Sequence, residues 1–398
     1  MSHSSTKQQE INATALLSNM IKCPSVTPNN AGVLEVVEAF LRPLGFETYR
    51  LEFSGDGSYA VDNLFAIRKG KNLNDNSKHL LFGGHTDVVP IGDETHWTHP
   101  PFSAHIENGE LWGRGAVDMK SGVAAFCSAI KSAIENGSAE SGTISLAITN
   151  DEEADAINGT EKILKWASEK GHKFDFSIVG EPSSAKKLGD KIKIGRRGSF
   201  DGHIVVRGKQ GHIAYPEKCI NPIPILAEIA LAISNEPLDE GNEHFQASNL
   251  EISAFDVGNR ATNVIPAEAS LRFNVRHNDI WTREKLLFWV QAHIDKIDNR
   301  GTKILFESPT RGANCFIFPA GDAVALLDEI IEQKTGKKPQ HSTTGGTSDA
   351  RFIAKLCPVV ECGLVGNHMH AVDERVPISE IEGLTEIYKS FIKKYFAN

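Results

Sequence analysis

His79-Leu80-Leu81-Phe82-Gly83-Gly84-His85-Thr86-Asp87-Val88-Val89-Pro90 is the stretch whose reading decides the architecture. Leu80 to Phe82 has the short, continuous apolar character of a buried strand, and two glycines carry it to a histidine and a carboxylate two residues apart. In an open α/β sheet, ligands bind outside the carboxyl ends of the strands. His85 and Asp87 therefore stand where a site would be built. A neutral imidazole can ligate a metal while a nearby carboxylate fixes its tautomer. Taken alone, the pair reads as an ordinary loop histidine; what the other strand ends carry decides between the two.

Outward from that strand, helical spacing covers residues 8–23 and 32–44, and strands are expected at 47–53 and 63–68. Residues 91–115 form a long loop rich in proline, glycine, histidine and tryptophan, and a loop of that length inside a compact domain usually has a function. A helix at 123–135, a strand at 143–149, a helix at 159–170 and a strand at 174–179 follow. Such alternation implies βαβ units and a mostly parallel mixed sheet flanked by helices, an α/β fold. After Gly198 the order becomes β-α-β-β-α-β, with strands at 200–206, 250–255, 268–275 and 303–307 and helices at 222–234 and 282–297. That is the ferredoxin-like signature, read as an inserted α+β domain over 199–311. The first pattern, which opened at 1–198, resumes over 312–398 with a helix at 322–335, a turn at 341–349, a strand at 359–364 and a helix at 379–395.

Size and charge narrow the function classes. A chain of 398 residues exceeds what one core supports, so two domains are expected. A net charge of -9 and the absence of any lysine or arginine run argue against nucleic acid as a partner. No apolar stretch approaches the roughly 18 residues of a membrane helix, and the start Met1-Ser2-His3-Ser4-Ser5-Thr6-Lys7 lacks a signal-peptide core. Cys23, Cys127, Cys219, Cys315, Cys357 and Cys362 are scattered without a Cys-x-x-Cys pair. A reduced, cytoplasmic protein without membrane partners and without a cysteine zinc cluster is the expectation.

Acids fall at the other strand ends. Asp151-Glu152-Glu153 follows the 143–149 strand and Glu181 follows the 174–179 strand. Adjacent carboxylates repel unless positive charge sits beside them, and a metal supplies it. Asp118, at a glycine-flanked helix start, could bridge two metals or simply cap the helix. A last ligand is expected from Gly366-Asn367-His368-Met369-His370, where spacing does not choose between His368 and His370. Imidazoles and carboxylates without cysteine suit zinc, with manganese or cobalt tolerated. Metals roughly 3.5–4 Å apart would activate a shared water and polarise a carbonyl. One glutamate of Glu152-Glu153 would ligate and the other move protons; order alone does not say which.

The stretches His85-Thr86-Asp87-Val88-Val89-Pro90, Gly113-Arg114-Gly115-Ala116-Val117-Asp118-Met119-Lys120, Asp151-Glu152-Glu153 and Gly180-Glu181-Pro182 resemble, in order, the motifs of the two-zinc amidohydrolase family of carboxypeptidases, aminoacylases and deacylases. The resemblance spans nearly the whole chain. It implies a zinc-peptidase-like catalytic domain and a small substrate bearing an amide. In that family's arrangement His85 and Glu181 hold one zinc, Glu153 and His370 the other, and Asp118 bridges them. Glu152 becomes the general base, Asp87 the residue orienting His85, and the Asp118-Met119 peptide is cis.

The same resemblance assigns the inserted domain to dimerisation and lid closure. His212, in Gly211-His212-Ile213-Ala214-Tyr215-Pro216, matches a histidine offered to the tetrahedral oxyanion, often from the other subunit of a homodimer. Asn263 matches a substrate-contacting asparagine, although it is also a natural turn residue before Pro266. Arg196 and Arg276 match arginines that meet substrate carboxylates, a task suited to the planar guanidinium. The turn with Gly346 and Thr347 would offer backbone N–H groups to another carboxylate. Three stretches, 193–199, 342–352 and 369–374, single out one branch of the family. The metal motifs by themselves admit another N-acyl amino acid such as acetylornithine, or a silent member that binds a peptide or amino acid. The chain has Gly366 where some members carry asparagine, and His96, His99 and His105 match no ligand position and read as loop residues around the cleft.

Overall fold

Buried on both faces, the His79–His85 strand pairs in parallel with Thr143–Thr149 on one side and Phe176–Val179 on the other in the computed structural model. The structure describes residues 12–309 and 312–397; the expected helix start at Gln8 and the expected insertion end at Arg311 lie outside the described residues. A strand with parallel neighbours on both sides has no solvent-facing side, which is why Leu80, Leu81 and Phe82 are all apolar and inaccessible.

The full sheet has eight strands in the order Glu47–Gly55, Ser58–Lys69, Thr143–Thr149, His79–His85, Phe176–Val179, Val359–Glu361, Lys191–Lys193, Gln340–Ser342. Its centre is parallel. The Glu47–Gly55 and Ser58–Lys69 pair is an antiparallel flank, and Lys191–Lys193 meets Val359–Glu361 antiparallel. Helix Lys120–Glu135 is lined by Val123, Ala124, Phe126, Cys127 and Ile130, all inaccessible, and Phe82 stacks on Phe126 at 4.1 Å. Small residues on this helix let it lie close to the sheet.

The expected loop at 91–115 is partly folded. His105–Glu107 and Glu110–Trp112 form a hairpin, and Arg375–Pro377 adds a third strand. Asn108 and Gly109 turn it with φ of 52° and 81°, the two positive values that an Asn-Gly hairpin turn requires. Strands of three residues are too short to show a period, and the third partner comes from far along the chain.

The molecule divides into two compact units. One comprises the chain up to Ile194, Phe318–Ser342 and Ser348 onward; the other is Gly195–Ile317 with Thr343–Thr347. The second is wider than the expected insertion and takes in the glycine-rich turn. Its four-stranded sheet runs Asn249–Asp256, Glu268–His277, Gly198–Arg207, Lys303–Glu307, antiparallel throughout. Ala269, Leu271, Phe273 and Val275 alternate inward from one strand and meet Ile225, Leu226 and Ile229 of helix Pro222–Asn235 and Leu286 and Val290 of helix Arg283–Ile294. Asn221 caps the first helix, ahead of Pro222, and Thr282 caps the second.

One histidine of the first unit sets an acid limit. His79 bonds Ser145 Oγ at 2.8 Å and packs against the Phe174 ring at 4.8 Å, and burial lowers its pKa from 6.5 to about 4. Between those values the unfolded chain binds the proton and the folded chain does not, so stability falls as pH falls through that window and is unaffected above it. Wild type is expected to lose up to about 3 kcal/mol more than His79→Gln between pH 7 and pH 4. Urea unfolding of both proteins at the two pH values checks this, and parallel losses would refute it.

Candidate functional site

Three of the central strands end in metal-type side chains at one edge. His85 closes its own strand and lies in register with Thr149, after which Asp151-Glu152-Glu153 follows; Gly83 is in register with Val179, after which Glu181 follows. Parallel pairing thus delivers the imidazole and the acids side by side. Asp118 arrives from a fourth direction, just ahead of helix Lys120–Glu135. A Cβ on Gly122 would stand 2.4 Å from the Gly180 carbonyl oxygen, so the glycine is what allows this helix start to approach the Glu181 segment. The Asp118-Met119 peptide is cis.

The side chains converge on Asp118. His85 Nε2 lies 3.2 Å from its Oδ1, and His370 Nε2 lies 3.2 Å from its Oδ2, so each carboxylate oxygen faces one imidazole. Glu181 Oε1 stands 3.5 Å from His85 Nε2, and Glu153 Oε1 stands 3.0 Å from His370 Nε2. Glu152 Oε2 is farther out, 4.0 Å from His85 Nε2. Where spacing left two histidines open, His370 is the one whose ring meets these acids.

The electrostatics follow from crowding. Burial, then the neighbouring Glu181 charge, push Glu152 well above the usual carboxylate range. Burial followed by the Asp118 charge raises Glu181 to about 7. Burial opposes a charge on His85, yet its hydrogen bonds to Asp118, Asp87 and Glu181 outweigh it and hold the imidazole well above its ordinary value. Asp118 and Glu153 hold His370 up at about 10. Burial alone would raise Asp118, but its bonds to His370 and His85 hold it below the usual carboxylate range.

Asp87 organises the near side. Its carboxylate takes the backbone N–H of Glu152 at 3.3 Å and of Glu153 at 3.1 Å and the Thr27 hydroxyl at 2.8 Å, with Oδ1 3.5 Å from His85 Nδ1. The closer partner of Nδ1 is the Asp87 carbonyl oxygen at 3.0 Å. Asp87 therefore fixes the His85 ring and aims the acidic turn together.

Four positioning residues escaped the sequence reading. Inaccessible Glu374 accepts from the N–H of Val117 at 2.8 Å and of Asp118 at 3.2 Å, and pairs with Arg114 Nη1 at 2.8 Å. Arg114 also donates to the carbonyls of Ala371 and His370, tying the Asp118 loop to the His370 segment. Asp151 accepts from the N–H groups of Ala156, Ile157 and Asn158 and from the Tyr59 hydroxyl, which shapes the acidic turn from within. Lys120 is buried, donates to the Met20 and Cys23 carbonyls at 3.0 Å, and is lowered by burial to about 8. All four lie inside the motif stretches, where residue type alone gives them no role.

The donor set fits divalent cations. His85, Asp118 and Glu153 offer ligand atoms within 4.8 Å of one another, as do His85, Glu152 and Glu181. Buried acids in this number carry a repulsion that bound positive charge removes, and hard carboxylates mixed with imidazole suit zinc, manganese or cobalt. Glu152 is geometrically able to ligate as well as to move protons.

The remaining expected residues belong to the second unit. His212 sits on a two-residue strand paired with Val264–Ile265, exposed, its Nδ1 accepting from the Ala214 N–H at 3.1 Å. Asn263 is an exposed turn residue whose carbonyl accepts from the Ile213 N–H, so the His212 and Asn263 loops support each other. Arg196 donates to the Gly346 carbonyl at 3.1 Å, next to Thr347. Arg197 bonds Asn249, and burial, then the positive charge of Arg276, lower its pKa. Guanidinium groups and the glycine turn are thus gathered in one unit. In the first unit, Gly366 donates to the Ser184 carbonyl; His96 is exposed at the end of a short 3-10 helix, Glu94–His96, and His105 lies in a hairpin strand, so of the three histidines expected in loops only His99 is in one.

The pattern of peptidase family M20/M25/M40 matches residues 81–394. Succinyl-diaminopimelate desuccinylase of Afipia carboxidovorans is 46% identical over 385 residues, covering 96% of this chain and 99% of that protein. The protein of the same name from Rhodopseudomonas palustris is 46% identical over 386 residues, covering 97% and 98%. Among solved structures, an M20 family metallo-carboxypeptidase from Sulfolobus solfataricus superposes with a TM-score of 0.76 at 19% identity, covering 98% of this chain and all of that one.

Proposed function

The chain belongs to peptidase family M20/M25/M40, and from that membership we propose that it is a metal-dependent amidohydrolase cleaving N-succinyl-LL-2,6-diaminopimelate to succinate and LL-2,6-diaminopimelate. The observation that carries the chemistry is Asp118 between His85 and His370, with Glu181 and Glu153 on either flank and Glu152 beside them. What supports the substrate is near-full-length likeness to the two desuccinylases, at 46% identity.

His85 with Glu181 would hold one cation, Glu153 with His370 the other, and Asp118 both. Bound zinc, or cobalt or manganese in its place, polarises the amide carbonyl and acidifies a water. Glu152 would take one proton from water as the water oxygen adds to the succinyl carbonyl carbon, and pass it to the amide nitrogen as the C–N bond breaks, releasing succinate and the free amine. Asp87 keeps the His85 ring from turning. By resemblance, His212, in the family often that of the other subunit, is the residue assigned to the oxygen that gains negative charge at the succinyl carbonyl. The substrate carries three carboxylates, and Arg196, Arg276 and the backbone at Gly346 and Thr347 are the groups assigned to them, with Asn263 contributing a further polar contact.

Rates on N-succinyl-diaminopimelate and N-acetylornithine, measured side by side, test the assignment. A preference of at least about 100-fold in kcat/KM is expected, because rejecting a substrate that leaves polar groups unpaired costs several kcal/mol. Chelation should abolish succinate release and zinc should restore it. Faster turnover of acetylornithine, or release indifferent to chelation, would overturn the reading. The Asn249–Asp256 strand lies at a sheet edge with most of its residues exposed, an arrangement that favours pairing with a second copy and a homodimer through the insertion. A monomer in sedimentation at micromolar concentration would contradict that part.

A further inference from the structure

Outside the centre just described, the hairpin gathers a second set of ligand-type side chains. His99, His105 and Glu107 offer donor atoms that all lie within 4.8 Å of one another. None of the three is among the residues assigned to catalysis. The His99 and His105 rings stack at 3.8 Å between centroids, 27° from parallel, so the exposed His105 ring turns out of the stack for both nitrogens to face one ion. Glu107 Oε2 stands 3.3 Å from His99 Nε2. Tetrahedral coordination with bonds of about 2.1 Å places neighbouring donors about 3.4 Å apart, close to that separation.

The framework around these residues is fixed by contacts that do not involve them as ligands. His105 and Glu107 are two apart on one strand and therefore share a face, and the Asn108-Gly109 turn sets their register against Glu110–Trp112. His99 is held from the side of the preceding residue: Thr98 N and Oγ1 both donate to the Asp373 carboxylate at 2.7 Å. The edge of the His99 ring contact with Trp112, 5.1 Å between centroids at 83°, restricts the ring further. His99 is partly covered while Glu107 is half exposed, so a cation has access and water can complete its shell.

We infer that His99, His105 and Glu107 form a separate binding site for one divalent transition-metal ion, zinc or copper by the borderline character of two imidazoles and a carboxylate. Three protein ligands with an open fourth position give weaker, exchangeable binding than the buried centre. The site does not depend on the proposed reaction, and the reaction does not depend on it.

The test uses the full-length protein, stripped by dialysis against chelator and titrated with zinc against a chromophoric competitor. Wild type is expected to take up about one equivalent more than His99→Ala/His105→Ala, with the extra ion the weakest bound, while succinate release is the same in both at saturating zinc. Added copper, with the catalytic centre already filled with zinc, should give an electron paramagnetic resonance spectrum with nitrogen splitting in wild type and not in the variant. Equal zinc uptake by the two proteins, or a wild-type copper spectrum without nitrogen splitting, would overturn the site. Glu107→Gln, which leaves both rings in place, should weaken the extra ion without abolishing the nitrogen splitting.

Discussion

Glu152→Gln is expected to lower turnover by about 10²–10⁴-fold, the range over which a positioned proton carrier acts, while metal content stays at the wild-type level. The amide keeps the size of the side chain and cannot take a proton from water. The family resemblance assigns Glu152 to proton transfer and Glu181 to ligation, and Glu152 stands the farther of the two from His85 Nε2, at 4.0 Å against 3.5 Å. The measurement pairs kcat for succinate release with metal analysis of the same sample. Turnover near the wild-type rate sinks the proton-carrier role. Loss of an ion together with activity would make Glu152 a ligand instead, a role its donor atom can reach.

Glu374→Ala is the second large effect, and its site is far from obvious in the chain. The side chain is inaccessible, pairs with Arg114 at 2.8 Å, and accepts from the N–H groups of Val117 and Asp118. Removing it leaves the Arg114 charge and two amides without that acceptor, and breaking a buried ion pair in this way costs about 3–5 kcal/mol. Because those amides hold Asp118, metal affinity should also fall, by about 10–100-fold as for other groups that orient ligands. Urea unfolding in chelator reads the first effect and competitive zinc titration the second. Glu374→Gln, which keeps an acceptor oxygen, should recover part of the affinity. An unchanged affinity in folded Glu374→Ala would reduce the residue to a structural role and refute the positioning claim.

Much of the fold could be read locally. The 143–149 and 303–307 strands and the 322–335 helix are where apolar periodicity placed them. The hairpin within 91–115 is not legible in the sequence apart from its Asn108-Gly109 turn, because three-residue strands carry no period and the partner Arg375–Pro377 is remote in sequence. The inserted unit is wider than 199–311, since its boundary strand pair, Gly195–Arg196 with Phe316–Ile317, joins residues that flank the whole domain and give no local signal.

By itself the sequence determined the longer strands and helices, which chemistry the strand ends carry, and that imidazoles and acids without cysteine form the donor set. The structure decided which of them meet. His370 and Glu153 are 217 positions apart, and Arg114 and Glu374 are 260 apart, yet each pair is within 3.0 Å. Residue type and spacing report on neighbours along a strand or a helix turn. Contacts between distant segments are set by sheet register and by close approaches such as Gly122 against Gly180, so the meeting of His370 with Asp118 and Glu153, which spacing left open and only the resemblance implied, and the role of Glu374 belong to the packed chain.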